Sequence, residues 1–151
     1  MIYLDANVFY NYLFETPLTR KTTKILEKYR NDSATSFSTI EEAIYVVMRK
    51  LIAERAGIKN RYDARRYLRT KDGKAIVEES FESVLAVLFE YSIDLIEDIT
   101  SVGLIEMYAV KYGLMPRDAQ IVATCVTHGI KKIATFDTDF DAVKELAVIR
   151  E

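Results

Sequence analysis

Five short apolar runs, set between longer amphipathic stretches, constrain this chain more than any other feature of it. The runs are Ile2–Leu4, Ala34–Phe37, Ile93–Ile96, Lys132–Phe136 and a short fifth at Ala147–Ile149. Each is too short for a helix and reads as a buried strand. Between them the apolar spacing predicts helices over Asn7–Leu13 and Thr19–Arg30, which Pro17 separates. A third helix, opened by Thr39 and ended by Gly57, carries the stripe Ile40, Ile44, Val47, Leu51. A short one follows through Tyr62–Arg69, closed by Asp72-Gly73, and then a long one over Lys74–Tyr91. In that long helix Phe81, Val84, Leu85, Leu88 and Phe89 form the expected core stripe, its leftover apolar strip being free for a second copy. Thr100 is expected to cap a helix ending at Gly113, and Pro116 to open the last one, which runs to Gly129. Short strands alternating with helices imply a mostly parallel sheet of four to five strands covered on both faces, an α/β/α sandwich. No linker or repeat divides residues 1–151, so a single domain is expected.

Composition narrows the chemistry. With 50% hydrophobic residues, five glycines and two prolines, the 151-residue chain can bury a real core and is not disordered. Cys125 is the only cysteine, which excludes a disulfide scaffold and any zinc site built on several thiolates. It lies beside Val122 and Val126 and is expected in the core. His128 is the only histidine, and no G-x-S-x-G surrounds a serine, so nothing supports a serine hydrolase. The start, MIYLDANVFY, has no basic segment and no long apolar one, and no stretch of about 18 uncharged apolar residues occurs. A soluble, cytoplasmic protein with no membrane association is expected.

The acids are the informative residues. Ligands of open parallel sheets bind beyond the carboxyl ends of the strands. Asp5 ends the first strand, Glu42 falls in the first turn of the helix after the second, and Asp137 follows the fourth, with Asp139 two residues on. Asp118 opens its helix on the stripe of Ile121, Val122 and Cys125, so its carboxylate points toward the sheet. Each alone could cap a helix or complement its dipole. Together, anions from four distant stretches meeting at one sheet edge repel strongly unless a cation compensates. An all-oxygen set selects a hard ion, Mg²⁺ or Mn²⁺.

The segments IYLDANVF, SFSTIEEAIYVV, PRDAQIVAT and IATFDTDFDAV, in that order, resemble the PIN domain, and within it the VapC-type toxin ribonucleases. The resemblance covers Met1 to about Ile149. It implies a metal-dependent endoribonuclease acting on single-stranded RNA, with an antitoxin partner; a homodimer is expected from the leftover apolar strip on the Phe81–Phe89 helix. The family's acids fall on Asp5, Glu42, Asp118 and Asp137, with Asp139 as an accessory acid. Glu42 stands three residues past Thr39, as in the family's T-x-x-E. Asn7 and Thr135 match the small polar residues that orient these carboxylates. Asp5 and Asp118 are expected to ligate the ion directly, and either Glu42 or Asp137 to hold the attacking water.

The segment Arg49–Lys74 carries ten basic residues against three acids, a local +7 in a chain of net charge −2. It includes a basic helical insertion at about 57–74 that is longer than the common toxin pattern. Arg61, Arg65, Arg66 and Arg69, interleaved with Tyr62 and Tyr67, could grip a nucleic-acid backbone, face water, or meet an acidic partner. Two alternatives stay open: a non-catalytic PIN-like module that binds RNA or protein, and an aspartyl-phosphate phosphatase using Asp5.

Overall fold

Ile2–Leu4 (β1) is wholly buried because it occupies the middle of a sheet covered on both sides. The computed structural model describes residues 1–151. The other strands are Ser33–Ser36 (β2), Asp94–Ile96 (β3), Lys132–Ala134 (β4) and Ala147–Ile149 (β5). All pair in parallel, in the order β3-β2-β1-β4-β5. Successive side chains of β1 point to opposite faces. Ile2 and Leu4 therefore pack with the helices Ala6–Leu13 (α1), Thr19–Lys28 (α2), Phe37–Ala56 (α3) and Lys71–Tyr91 (α5). Tyr3, with Ile133 of β4, packs against Val102–Tyr112 (α6) and Pro116–Thr127 (α7). The result is the expected α/β/α sandwich.

This strand order has a consequence for function. The chain winds from β1 through β2 to β3 in one direction, then returns to place β4 on the other side of β1. The carboxyl ends of β1 and β4 flank the point where the winding reverses, which is where such sheets open a crevice.

Strand β2 (SATS) is polar yet fully buried, and its Thr35 and Ser36 hydroxyls are both hydrogen-bonded. Thr35 Oγ1 donates to the Leu4 carbonyl at 3.0 Å, and Ser36 Oγ lies 2.6 Å from the Tyr3 hydroxyl. Thr39 Oγ1 is also 2.6 Å from that hydroxyl. Satisfied in this way, the hydroxyls cost little to bury.

Several boundaries differ from the sequence expectation. Phe37 is not in β2: it is the first residue of α3 and 62% exposed. The helix starts there rather than at Thr39 because Asp98 supplies its cap from outside, accepting from Ser38 N at 2.9 Å and Ser38 Oγ at 2.7 Å. Glu42 consequently sits in the second turn, not the first. Ser101, not Thr100, caps α6. Asp72-Gly73 does not close the basic helix, which is Arg61–Tyr67 (α4). Thr70 caps α5 there, accepting from Gly73 N at 3.0 Å. Gly73 lies in the first turn of α5, where a Cβ would collide with the Tyr67 carbonyl oxygen.

The core stripe of α5 is also shifted. Ile76, Ser80, Val84, Val87 and Tyr91 face inward, while Phe81, Leu85 and Phe89 are exposed, Phe89 to 84%. The inward set follows from packing on α3, which the periodicity of a helix apolar on two sides does not specify. Cys125 is fully buried, and its thiol is pushed up in pKa by that burial. No helix is long and apolar enough to cross a membrane.

Candidate active site

The crevice is built first on Asp5. This residue leaves β1 and caps α1, its Oδ1 accepting from Ala6 N at 2.7 Å. Its Oδ2 accepts from Asn7 Nδ2 at 2.8 Å and from Thr135 Oγ1 at 2.6 Å. Thr135, just past β4, accepts in turn from Asn7 Nδ2 at 3.0 Å and from Asp137 N at 3.0 Å. Asn7 Oδ1 closes the ring by accepting from Phe136 N at 3.2 Å. The pair Asn7 and Thr135 thus sews the exit of β1 to the exit of β4.

Asp137 next caps a single 3-10 turn, Thr138–Ala142, its Oδ1 accepting from Asp139 N at 2.9 Å. Arg150 Nη2 supports the same loop, donating to the Asp137 carbonyl at 2.9 Å and to Asp141 Oδ1 at 2.6 Å. Opposite them stands Asp118, in the first turn of α7. Pro116 suits that turn because it lacks only a donor that the helix start does not use. Asp118, Asp137 and Asp139 each offer a carboxylate oxygen within 4.8 Å of the others.

Asp5 and Glu42 lie outside that tight trio but within electrostatic reach of it. The Asp118 carboxyl is pushed up to about 6 by burial first, then by Asp137, Asp5, Asp139 and Glu42. Asp5 also rises to about 6, mainly through burial, with Glu42 and Asp137 adding to the shift and the Thr135 and Ala6 bonds opposing it. Tyr10, half-buried on α1, is raised by burial and then by Asp5, Glu42 and Asp137. The other four predicted acids therefore all raise the cost of a charge on Asp118. These oxygen-only donors, held close and mutually repelling, fit a hard divalent cation and no soft metal. Both Asp5 oxygens are engaged in hydrogen bonds, Oδ1 in one only, so it keeps a lone pair free.

One cation at this edge escapes sequence reasoning. Arg117 Nη1 donates to the Ser38 carbonyl at 2.8 Å and to Glu42 Oε2 at 3.2 Å, and Nη2 reaches Glu41 at 3.4 Å. Its neighbour Asp118 was the only signal, since residue 117 projects one helical step away toward α3. Beside Glu42 opens a cavity of about 300 Å³ lined by Glu41, Glu42, Tyr45, Arg61 and Arg117. It adjoins a second, of about 210 Å³, to which Arg65 contributes. Arg66 lies 6.0 Å over the Tyr62 ring on the exposed side of α4, and Arg69 is exposed beyond it. Of the four arginines expected to bind nucleic acid, Arg61 lines the cavity beside Glu42, Arg65 lines only its neighbour, and Arg66 and Arg69 face solvent. His128 caps the C-terminus of α7, its Nε2 at 2.9 Å from the Glu97 carbonyl.

Known proteins resemble this chain in sequence and fold. The PIN domain model matches residues 2–146. Ribonuclease VapC2 of Methanocaldococcus jannaschii is 29% identical over 155 residues, covering 98% of this chain and 92% of that protein. Ribonuclease VapC6 of the same organism is 49% identical over a stretch of 41 residues, 27% of each chain. Among solved structures, FitAcB from Neisseria gonorrhoeae superposes with a TM-score of 0.62 at 23% identity, covering 99% of this chain and 96% of that one. A toxin–antitoxin complex from Klebsiella pneumoniae gives 0.57 at 17% identity, covering 97% and 96%. At such identities these two structures speak for the fold alone. With the family model spanning almost every element that builds the crevice, the chain belongs to the PIN domain family.

Proposed function

We propose that this protein is a metal-dependent endoribonuclease, the toxin of a type II toxin–antitoxin pair, acting in the cytoplasm on single-stranded RNA. The observation that carries the reading is the meeting of Asp5, Glu42, Asp118, Asp137 and Asp139 where the sheet reverses its winding. The names of the VapC relatives and of the toxin–antitoxin neighbours support the choice of RNA and of an antitoxin partner.

In this reading the five acids hold Mg²⁺ or Mn²⁺, with Asp5 and Asp118 as the principal ligands. The ion supplies Lewis-acid charge for phosphodiester hydrolysis. The chain's own groups do the rest. Asn7 and Thr135 fix the Asp5 carboxylate in one orientation. Glu42 or Asp137 accepts a proton from the attacking water. Arg61, Arg65, Arg66 and Arg69 hold the RNA backbone, concentrating a polyanion beside an acidic site that repels it. Phe81, Leu85 and Phe89, one exposed stripe of α5, form a homodimer contact.

The test is cleavage of a labelled single-stranded RNA with Mn²⁺, with Mg²⁺ and with chelator. Cleavage that needs the ion and disappears in Asp118→Asn is expected. Cleavage that persists in chelator, or in Asp118→Asn, refutes the mechanism. Absence of cleavage by the intact protein with either ion favours the non-catalytic binding module.

A further inference from the structure

We propose that the cavity between α3 and α4 is a base subsite that reads guanine in the RNA strand, an assignment that rests on the ribonuclease reading above. Glu41, Tyr45 and Arg49 stand at i, i+4 and i+8 on α3 and so share one face of that helix. Tyr45 is 44% exposed, an aromatic ring offered to the cavity rather than spent on the core. Arg49 steadies it, its Nη1 donating to the Tyr45 hydroxyl at 3.1 Å with the guanidinium 5.9 Å from the ring centroid. Arg49 is itself anchored through Nη2 to the Lys59 carbonyl at 2.6 Å. A ring held from behind, with an open face, is a stacking platform for a base.

The polar groups around the ring choose which base. Arg61 forms no ion pair and lines both cavities, while Arg117 lines the one nearer the acids. Glu41 is mostly exposed and only 3.4 Å from Arg117, a loose pairing that leaves carboxylate lone pairs free. Guanine carries two adjacent donors, N1–H and the N2 amine, which match the two oxygens of one carboxylate. It also carries O6 and N7, the acceptor pair that suits a guanidinium. Adenine lacks the N1–H, and uracil and cytosine each offer a single donor group. An acid and an arginine flanking one aromatic ring therefore favour guanine. Glu42 belongs to both the cavity and the acid cluster, and Arg117 precedes Asp118. The base read here thus lies next to the phosphate presented to the acids.

The experiment uses the full chain and fluorescein-labelled hexauridine in which one central position is uridine, adenosine, inosine or guanosine. Binding is followed by anisotropy in chelator, so that nothing is cut. The guanosine oligomer should bind at least about fivefold more tightly than the others, inosine losing the advantage because it lacks the N2 amine. Glu41→Gln and Tyr45→Ala should erase the preference, and Tyr45→Phe should keep it. Equal binding of all four oligomers, or a preference unchanged in Glu41→Gln and Tyr45→Ala, overturns the assignment. A guanine preference without cleavage under any condition sinks the ribonuclease reading and leaves the subsite standing. Metal-dependent cleavage with no dependence on guanine does the reverse.

Discussion

Thr135 Oγ1 donates to Asp5 Oδ2 at 2.6 Å although 130 positions of sequence separate them. The same oxygen accepts the backbone N–H of Asp137, so one buried hydroxyl sets the spacing of two acids. Thr135→Val keeps the shape and removes all of this. It leaves a buried carboxylate and an N–H short of partners, a cost of about 1–3 kcal/mol. A lowered denaturation midpoint and a fall in RNA cleavage of tenfold or more are expected, with Thr135→Ser close to wild type. A Val variant as stable and active as wild type would remove the hydroxyl from the account of the site.

Asp118 accepts no hydrogen bond and is surrounded by four other acids, so its charge opposes folding when no cation is present. Asp118→Asn should raise the melting temperature of chelator-treated protein at neutral pH. After allowance for solvent screening of this half-buried group, the gain is about 1 kcal/mol, or roughly 2–4 °C in a chain of this size. The same variant should lose the stabilisation that Mn²⁺ gives the wild type. A variant that melts lower in chelator contradicts the repulsion described here.

The pH dependence of that difference has a fixed sign. Asp118 titrates near 6 in the folded chain and at 3.8 ordinarily, so between these values the folded state holds a proton that the unfolded chain has released. The support from that proton is complete below about 4 and is lost as pH rises through about 6. Wild type and Asp118→Asn should therefore melt together in acid and diverge toward neutrality. Mn²⁺ affinity should climb over the same interval, because binding requires both Asp5 and Asp118 ionised. A melting difference independent of pH would show that the charge is not the cause.

Phe81, Leu85 and Phe89 place an apolar stripe on the outer face of α5. Phe89→Glu should halve the mass seen by light scattering without lowering the melting temperature of the isolated subunit. A wild-type protein that is monomeric at high micromolar concentration would rule the contact out.

Much of this was legible in the residues. The strands β1 and β5 read correctly because a run of apolar residues between turn signals leaves few options. The positions of two acids were legible because Asp5 and Asp137 directly follow apolar runs, and they stand just beyond the carboxyl ends of β1 and β4. What escaped was set by partners remote in sequence. Asp98 caps α3 from the far side of α5, which moved the helix start and shifted Glu42 by a turn. The inward stripe of α5 depends on how α3 lies against it. Arg117 drew no notice in the sequence, because its partners Ser38 and Glu42 lie on a helix far away along the chain. Tyr45 likewise drew none, since it lies off the inner stripe of Ile40, Ile44, Val47 and Leu51.

Because β4 inserts beside β1 only after the return crossover, a nascent chain still on the ribosome owns Asp5 and Glu42 but nothing to set against them. The crevice that gathers the acids therefore closes only once Lys132–Ala134 has joined the sheet.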